Sequence, residues 1–234
     1  MNAIGRKDYL SMMSNEINQN CSGVVTRDIE EKDLTILKSF IVEAWGIGWN
    51  LKRFNQNTDF FQSLLDVYLS IFLNSSTFGR VAVMNDKVVG AILGSVNGEI
   101  EKFRLFQKET ALHTLTLLSA TEAERMDIVE HMSTSFHAIS KLLENRANVY
   151  DGSLEYIVVS EQARGLKIGK LLWDELSTYF NSKNAKSIYL IADSQCNVGF
   201  YDHNGFSRVD TKEAIYNYAA GQKRFDIYLY DYQF

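Results

Sequence analysis

The sequence predicts an α/β (α+β) fold in which a central mixed, mainly antiparallel sheet is flanked by helices, and three segments carry that prediction. Arg80 to Met84 and Lys87 to Leu93 are β-branched runs joined by Asn85 and Asp86, residue types that tolerate a tight hairpin turn, so they form an antiparallel pair. Leu154 to Val159, a glycine-bearing turn, the helix-periodic stretch Ile168 to Phe180 and Ser187 to Ala192 make a βαβ unit, hence a parallel pair. Near the C-terminus, Phe225, Ile227 and Leu229 alternate with Tyr228, Tyr230 and Tyr232, as in a strand whose sheet is packed differently on its two faces.

The other elements follow in chain order. Residues 1–22 are polar with scattered apolar positions and read as an N-terminal extension without an assigned function. Val24 to Ile29 is a short strand. A helix follows in which Leu34, Leu37, Ile41, Ala44 and Trp45 keep a helical period, with Gly46 and Gly48 ending it. Thr58 or Asp59 caps a second helix, whose stripe from Phe60 and Phe61 through Leu64, Leu65, Tyr68 and Leu69 to Phe72 is assigned to the core. After the hairpin comes a helical block over about 101–148. Its second half opens with Thr121 and Glu124 at capping-box spacing, and Val129, Met132, Phe136, Ile139 and Leu143 recur at alternating steps of three and four. This is a helix or helical hairpin inserted between the third and fourth strands, at about 99–150. A short helix from Asn197 to His203 and two final strands complete the chain, and residues 23–234 are expected to form one domain.

Bulk properties narrow the function classes. The chain has 234 residues, 46% apolar and 23% charged, with no proline to mark a stiff linker, so it can bury a core of ordinary size. It has no apolar run of about 18 residues to span a bilayer, and its first residues lack the apolar centre of a signal peptide, so a cytoplasmic location and no membrane partner are expected. Cys21 and Cys196 are too few for a disulfide framework or a zinc pattern, and no metal is expected. A net charge of -5 argues against a broad basic face for nucleic acid.

The chemistry is concentrated in one stretch, where the strand Leu154 to Val159 runs through Arg164-Gly165-Leu166-Lys167-Ile168-Gly169-Lys170 into a helix. Backbone N–H groups in the first turn of a helix lack intrahelical acceptors and meet the positive end of its dipole, so they can hold a pyrophosphate, with glycine allowing close approach. Arg164, Lys167 and Lys170 add positive charge. The spacing is not that of a nucleotide P-loop, because three residues rather than four separate Gly165 from Gly169 and Leu171 follows Lys170. The three spaced glycines of a dinucleotide fingerprint are also missing.

Arg164-Gly-Leu-Lys-Ile-Gly169 is similar to the arginine or glutamine, two residues, glycine, one residue, glycine or alanine motif of the GNAT superfamily of acyl-CoA-dependent N-acyltransferases. About 30 residues on, Asn197-Val-Gly-Phe200-Tyr201-Asp-His-Asn-Gly205-Phe206 resembles that superfamily's next signature. The element order agrees over most of the chain, although only 154–206 carries specific motifs. Two positions depart from the pattern: Lys167 stands where the first motif glycine is usual, and Glu161 where a proline commonly follows the strand. If the Lys167 position needs a positive φ, a side chain there costs about 1 kcal/mol or more.

The resemblance implies acetyl-CoA as cosubstrate and a small-molecule or protein amine as acceptor, with direct acetyl transfer. It also implies that backbone groups of Ile157, Val158 and Val159 hold the pantetheine arm, that the turn from Arg164 to Lys170 holds the pyrophosphate, and that Asn197 braces the splayed strands or touches the pantetheine. An ordinary helix N-cap is the alternative for Asn197. Tyr201 matches the tyrosine that donates to the CoA sulfur, and Glu155 lies where some members place a carboxylate base; amine attack needs both kinds of group. Against these stand plainer readings: Tyr201 packed on Phe200 and Phe206, Cys196 as a small packed thiol, and His113, His131 and His137 in surface or packing roles. Trp45, Trp49, Tyr68 and Phe72 are core residues by default or else line the acceptor side. The rival function is a non-catalytic CoA-binding sensor or interaction module of the same fold. A homodimer would form on an exposed strand edge or on the inserted helices.

Overall fold

The computed structural model describes residues 23–45, 59–103, 120–146 and 149–234. Seven strands form one sheet: β1 (Val24–Asp28), β2 (Phe78–Met84), β3 (Lys87–Val96), β4 (Gly152–Val159), β5 (Ser187–Asp193), β6 (Ser207–Tyr218) and β7 (Gly221–Gln233), in the order β1-β2-β3-β4-β5-β7-β6. Every neighbouring pair is antiparallel except β4 and β5. The expected hairpin is present, and Asn85 and Asp86 both take positive φ, 50° and 60°, as its tight turn requires.

Helices cover both faces. On one side α1 (Leu34–Trp45) and α2 (Asp59–Ser75) bury Leu37, Ile41, Phe61 and Leu64 against Val81, Leu93, Tyr156 and Val158. On the other, α4 (Ile168–Ser182) buries Leu172, Trp173 and Leu176 against Ile92, Leu154 and Ile188. The short α5 (Val198–His203) closes the edge of this second core through Tyr201. The expected Gly46, Gly48 and Thr58 boundaries lie outside the described residues.

The insertion between β3 and β4 contains α3 (Glu122–Leu143), and its capping box forms as the spacing predicts. Thr121 N–H donates to Glu124 Oε2 at 2.9 Å, and the Thr121 hydroxyl accepts from Glu124 N at 3.3 Å. Its buried face differs from the apolar spacing. Val129 and Phe136 are exposed, whereas Asp127 and His131 are buried with Ile128, Ala138 and Leu142. The β6–β7 hairpin causes this, because it offers polar partners: Ala219 N–H donates to Asp127 Oδ1 at 2.7 Å, and Tyr218 Oη lies 2.7 Å from His131 Nδ1. Ala138 and Leu142 pack on Ala214, Tyr216 and Leu229 of the same hairpin. No helix among the described residues is long and apolar enough to cross a membrane.

Candidate active site

The parallel strands touch for only three residue pairs. Gly152, Ser153 and Leu154 pair with Ile188, Tyr189 and Leu190, after which β5 continues with β7 and β4 continues with β3. From Glu155 onward, one edge of β4 therefore faces a gap instead of a strand.

A β-bulge stands at the mouth of that gap. Leu93 pairs with Tyr156 and Gly94 with Leu154, leaving Glu155 as the extra residue. Strict alternation would put Leu154, Tyr156 and Val158 on one face. Instead Leu154 joins the α4 core while Tyr156 and Val158 join the opposite core, so the bulge has reset the alternation.

The gap holds a cavity of about 320 Å3. Its floor is built from Ser153 to Ile157 of β4 and Tyr189 to Asp193 of β5, its roof from Tyr68 and Phe72 of α2 and His131 and Phe136 of α3, and Tyr201 of α5 closes the end. Glu155 points into it, and its carboxylate accepts a hydrogen bond from Ser153 Oγ. Burial pushes the Glu155 carboxyl above the usual range, against the lowering effect of hydrogen bonds from Ser153 and Ser75. Glu155 is thus a better proton acceptor than an exposed glutamate.

Tyr201 is 8% exposed and packs edge-on against Phe200 and Phe206, as its plainer reading expects, and it also lines the cavity. Among the described residues its hydroxyl has no hydrogen-bond partner. Burial, then the nearby Cys196 and Asp193, raise its pKa, so it remains a protonated donor. The same burial pushes the Cys196 thiol up to about 12, the state of a packed cysteine and not of a nucleophile.

The β4–α4 turn lies next to this cavity in sequence. A single 3-10 turn, Glu161–Ala163, follows β4, and Lys167 then takes φ 59° and ψ 15°, the left-handed conformation that the departure from glycine makes costly. The first helical bond runs from Leu171 N–H to the Lys167 carbonyl at 3.0 Å, which leaves the N–H groups of Ile168, Gly169 and Lys170 ahead of the ladder. A Cβ on Gly169 would meet Phe200 Cε2 at 3.0 Å, so this glycine lets the two sequence motifs pack against each other. Two of the three cations are engaged: Arg164 pairs with Glu43 at 3.5 Å and Lys170 with Asp174. Lys167 is exposed and has no ion-pair partner among the described residues.

The structure brings Glu155, Ile157 and Tyr201 together around one cavity. Asn197 sits at the N-cap of α5, exposed and without a side-chain capping bond. Cys21, Trp49 and His113 lie outside the described residues, and His137 is exposed. Asp193, Tyr189 and Tyr216 are among the cavity residues that the sequence does not single out. Asp193 follows an apolar strand with no motif around it. Tyr189 and Tyr216 belong to strand alternations that only the tertiary packing distinguishes.

Residues 134–218 match the model of the acetyltransferase (GNAT) domain, a span that includes both motifs and the whole splayed region. Over that span the chain is similar to a GNAT acetyltransferase domain. The fold agrees with those of solved N-acetyltransferases: an agmatine N-acetyltransferase mutant aligns over 91% of this chain and 100% of its own, with 12% identity and a TM-score of 0.54. The ribosomal-protein-S18-alanine N-acetyltransferase of Escherichia coli aligns over 90% and 93%, with 11% identity and a TM-score of 0.51. No curated protein sequence matches the chain at a significant level. Lys167 departs from the motif, and its backbone nevertheless keeps the positive φ suited to glycine.

Proposed function

We propose that the protein transfers the acetyl group of acetyl-CoA directly to an amine of a small molecule or protein, in the cytoplasm. One observation carries the reading: a buried carboxylate, turned by a β-bulge, and a protonated tyrosine line the same cavity in the gap between β4 and β5. The remaining parts fit the cosubstrate. The open edge of β4 from Ile157 to Val159 presents backbone groups to the pantetheine, and the N–H groups of Ile168, Gly169 and Lys170, which precede the helical ladder, serve the pyrophosphate, with Lys167 as the turn's cation that has no ion-pair partner among the described residues. Arg164 reaches a phosphate by leaving Glu43.

Acetyl-CoA supplies a thioester carbonyl that a neutral amine attacks, giving an amide and the CoA thiol. Glu155 takes the proton from the amine, directly or through water, and burial raises its affinity for that proton. Tyr201 donates its hydroxyl proton toward the leaving sulfur. The left-handed Lys167 and the engaged Arg164 favour the second reading, a CoA-binding module without catalysis. Calorimetric titration with acetyl-CoA, CoA and ATP, followed by CoA-release assays, tests both. Binding of the first two but not ATP, with release lost in Glu155→Gln and Tyr201→Phe, supports transfer. Binding with no release from any amine leaves the module, and no binding sinks both.

A further inference from the structure

We infer that the acceptor is a small monoamine with an apolar body, aromatic or branched aliphatic, bound beneath the inserted helix α3 with its nitrogen at Glu155. This rests on the acetyl-transfer reading and adds a substrate class to it. The roof and floor on this side are apolar: Met132, Phe136 and Ile139 of α3 lie over Tyr156, Tyr189 and Tyr216. No lysine or arginine is among the described residues that line the cavity. An acceptor carrying a carboxylate or phosphate would therefore lose water without gaining a cationic partner.

Charge and size narrow the class further. His131 adds no positive charge, since burial holds its pKa down to about 4 and its ring is stacked on Tyr216 at 5.2 Å. An entering ammonium thus meets aromatic faces and the Glu155 carboxylate, both favourable to a cation. The other carboxylate among the described lining residues, Asp193, accepts from Gln195 N at 2.8 Å through Oδ1 and stands with Cys196 and Tyr201 at the α5 end. A linear polyamine would have to leave its second ammonium in the apolar part, where an unpaired charge is costly. A peptide N-terminus would press backbone amides against the same apolar wall. The cavity of about 320 Å3, shared with the thioester end, suits a compact acceptor. In the step itself the amine nitrogen bonds to the acetyl carbon and the carbon–sulfur bond breaks. The entering ammonium first gives up one proton to solvent to become the neutral nucleophile; Glu155 then receives a second proton from the attacking nitrogen, the sulfur leaves as the CoA thiol with a proton from Tyr201, and Glu155 returns its proton to the tyrosinate through solvent.

The test compares kcat/KM by CoA release for 2-phenylethylamine, 3-methylbutylamine, spermidine, glucosamine 6-phosphate and an alanine-led tetrapeptide, with acetyl-CoA binding measured by calorimetry on the same preparation. The two apolar amines are expected to lead. Phe136→Ala, at a half-exposed position, is expected to raise the KM for 2-phenylethylamine about tenfold and leave that for acetyl-CoA unchanged. A lead for spermidine, the sugar phosphate or the peptide overturns the acceptor class while the transfer reading stands. Acetyl-CoA binding without transfer to either apolar amine overturns the class as well, and an unchanged KM in Phe136→Ala removes α3 from the site. Failure to bind acetyl-CoA overturns the transfer reading and the acceptor with it.

Discussion

Lys167 is the residue at which sequence and backbone disagree most plainly. Its left-handed φ of 59° at the N-cap of α4 costs a side chain about 1 kcal/mol, and glycine is also the better cap. Lys167→Gly should therefore stabilise the protein by about 0.5–1 kcal/mol in urea melts, despite the greater freedom that glycine gives the unfolded chain. If Lys167 also serves the pyrophosphate, the same variant loses CoA affinity as it gains stability. Glu155 contributes one part of the pH dependence of stability. Its folded pKa is raised, so the protonated carboxyl contributes stability that is fully present below about pH 4.3, the unfolded value, and is lost as pH rises through the folded one. At neutral pH Glu155→Gln should accordingly melt higher than the wild type, while its acetyl transfer collapses and the acid limb of the rate profile disappears. The candidates at 164–170 and 201 were legible because two motifs mark them, and Glu155 only as a carboxylate on the strand before the first motif. That Glu155 turns into the cavity was not, since a bulge belongs to the pairing of β4 with β3.

The elements show the same division between what a single segment encodes and what pairing decides. The hairpin, the βαβ unit and the capping box of α3 are local patterns, and each forms where its residues predict. The face that α3 buries is not local. Asp127, Glu130 and His131 point inward or sideways because the β6–β7 hairpin bonds all three, Glu130 through Asn217 N–H at 2.7 Å. Thr121→Ala should therefore cost only the cap, about 1 kcal/mol, with α3 still docked and seen by circular dichroism. Gly152 is a different case, because a Cβ there would fall 2.1 Å from the Ser95 carbonyl oxygen, a backbone atom that cannot swing aside. Gly152→Ala should push β4 off β3 just before the bulge and cost about 2–3 kcal/mol in denaturant melts. Because the displaced strand carries Glu155, its kcat should fall further than its stability.

At the scale of the whole molecule, three cores meet at the cavity. The α1/α2 core contributes Tyr156, the α4 core Tyr201, and the α3 core Tyr216 and Ile227. Ligand in the gap therefore touches all three and should stabilise the fold as one unit. At a hundred times its Kd, acetyl-CoA binding adds about 2.7 kcal/mol, which for a chain of this length raises Tm by about 5–11 °C. Acid works in the opposite sense through His131, whose depressed pKa of about 4 makes the neutral ring a source of stability that is complete above pH ~6.5 and lost as pH falls toward 4, by up to about 3 kcal/mol. His131 bonds Tyr218 of the hairpin and roofs the cavity, so protonating it loosens α3 from the sheet and opens the site together. Melting the wild type and His131→Phe between pH 7 and 4.5, with and without acetyl-CoA, separates the two effects. The variant, which keeps a ring against the tyrosines but cannot titrate, should show the flatter pH dependence, and the acetyl-CoA increment in Tm should shrink toward pH 4.5 in the wild type alone. Equal slopes would mean that α3 is held independently of the charge on His131.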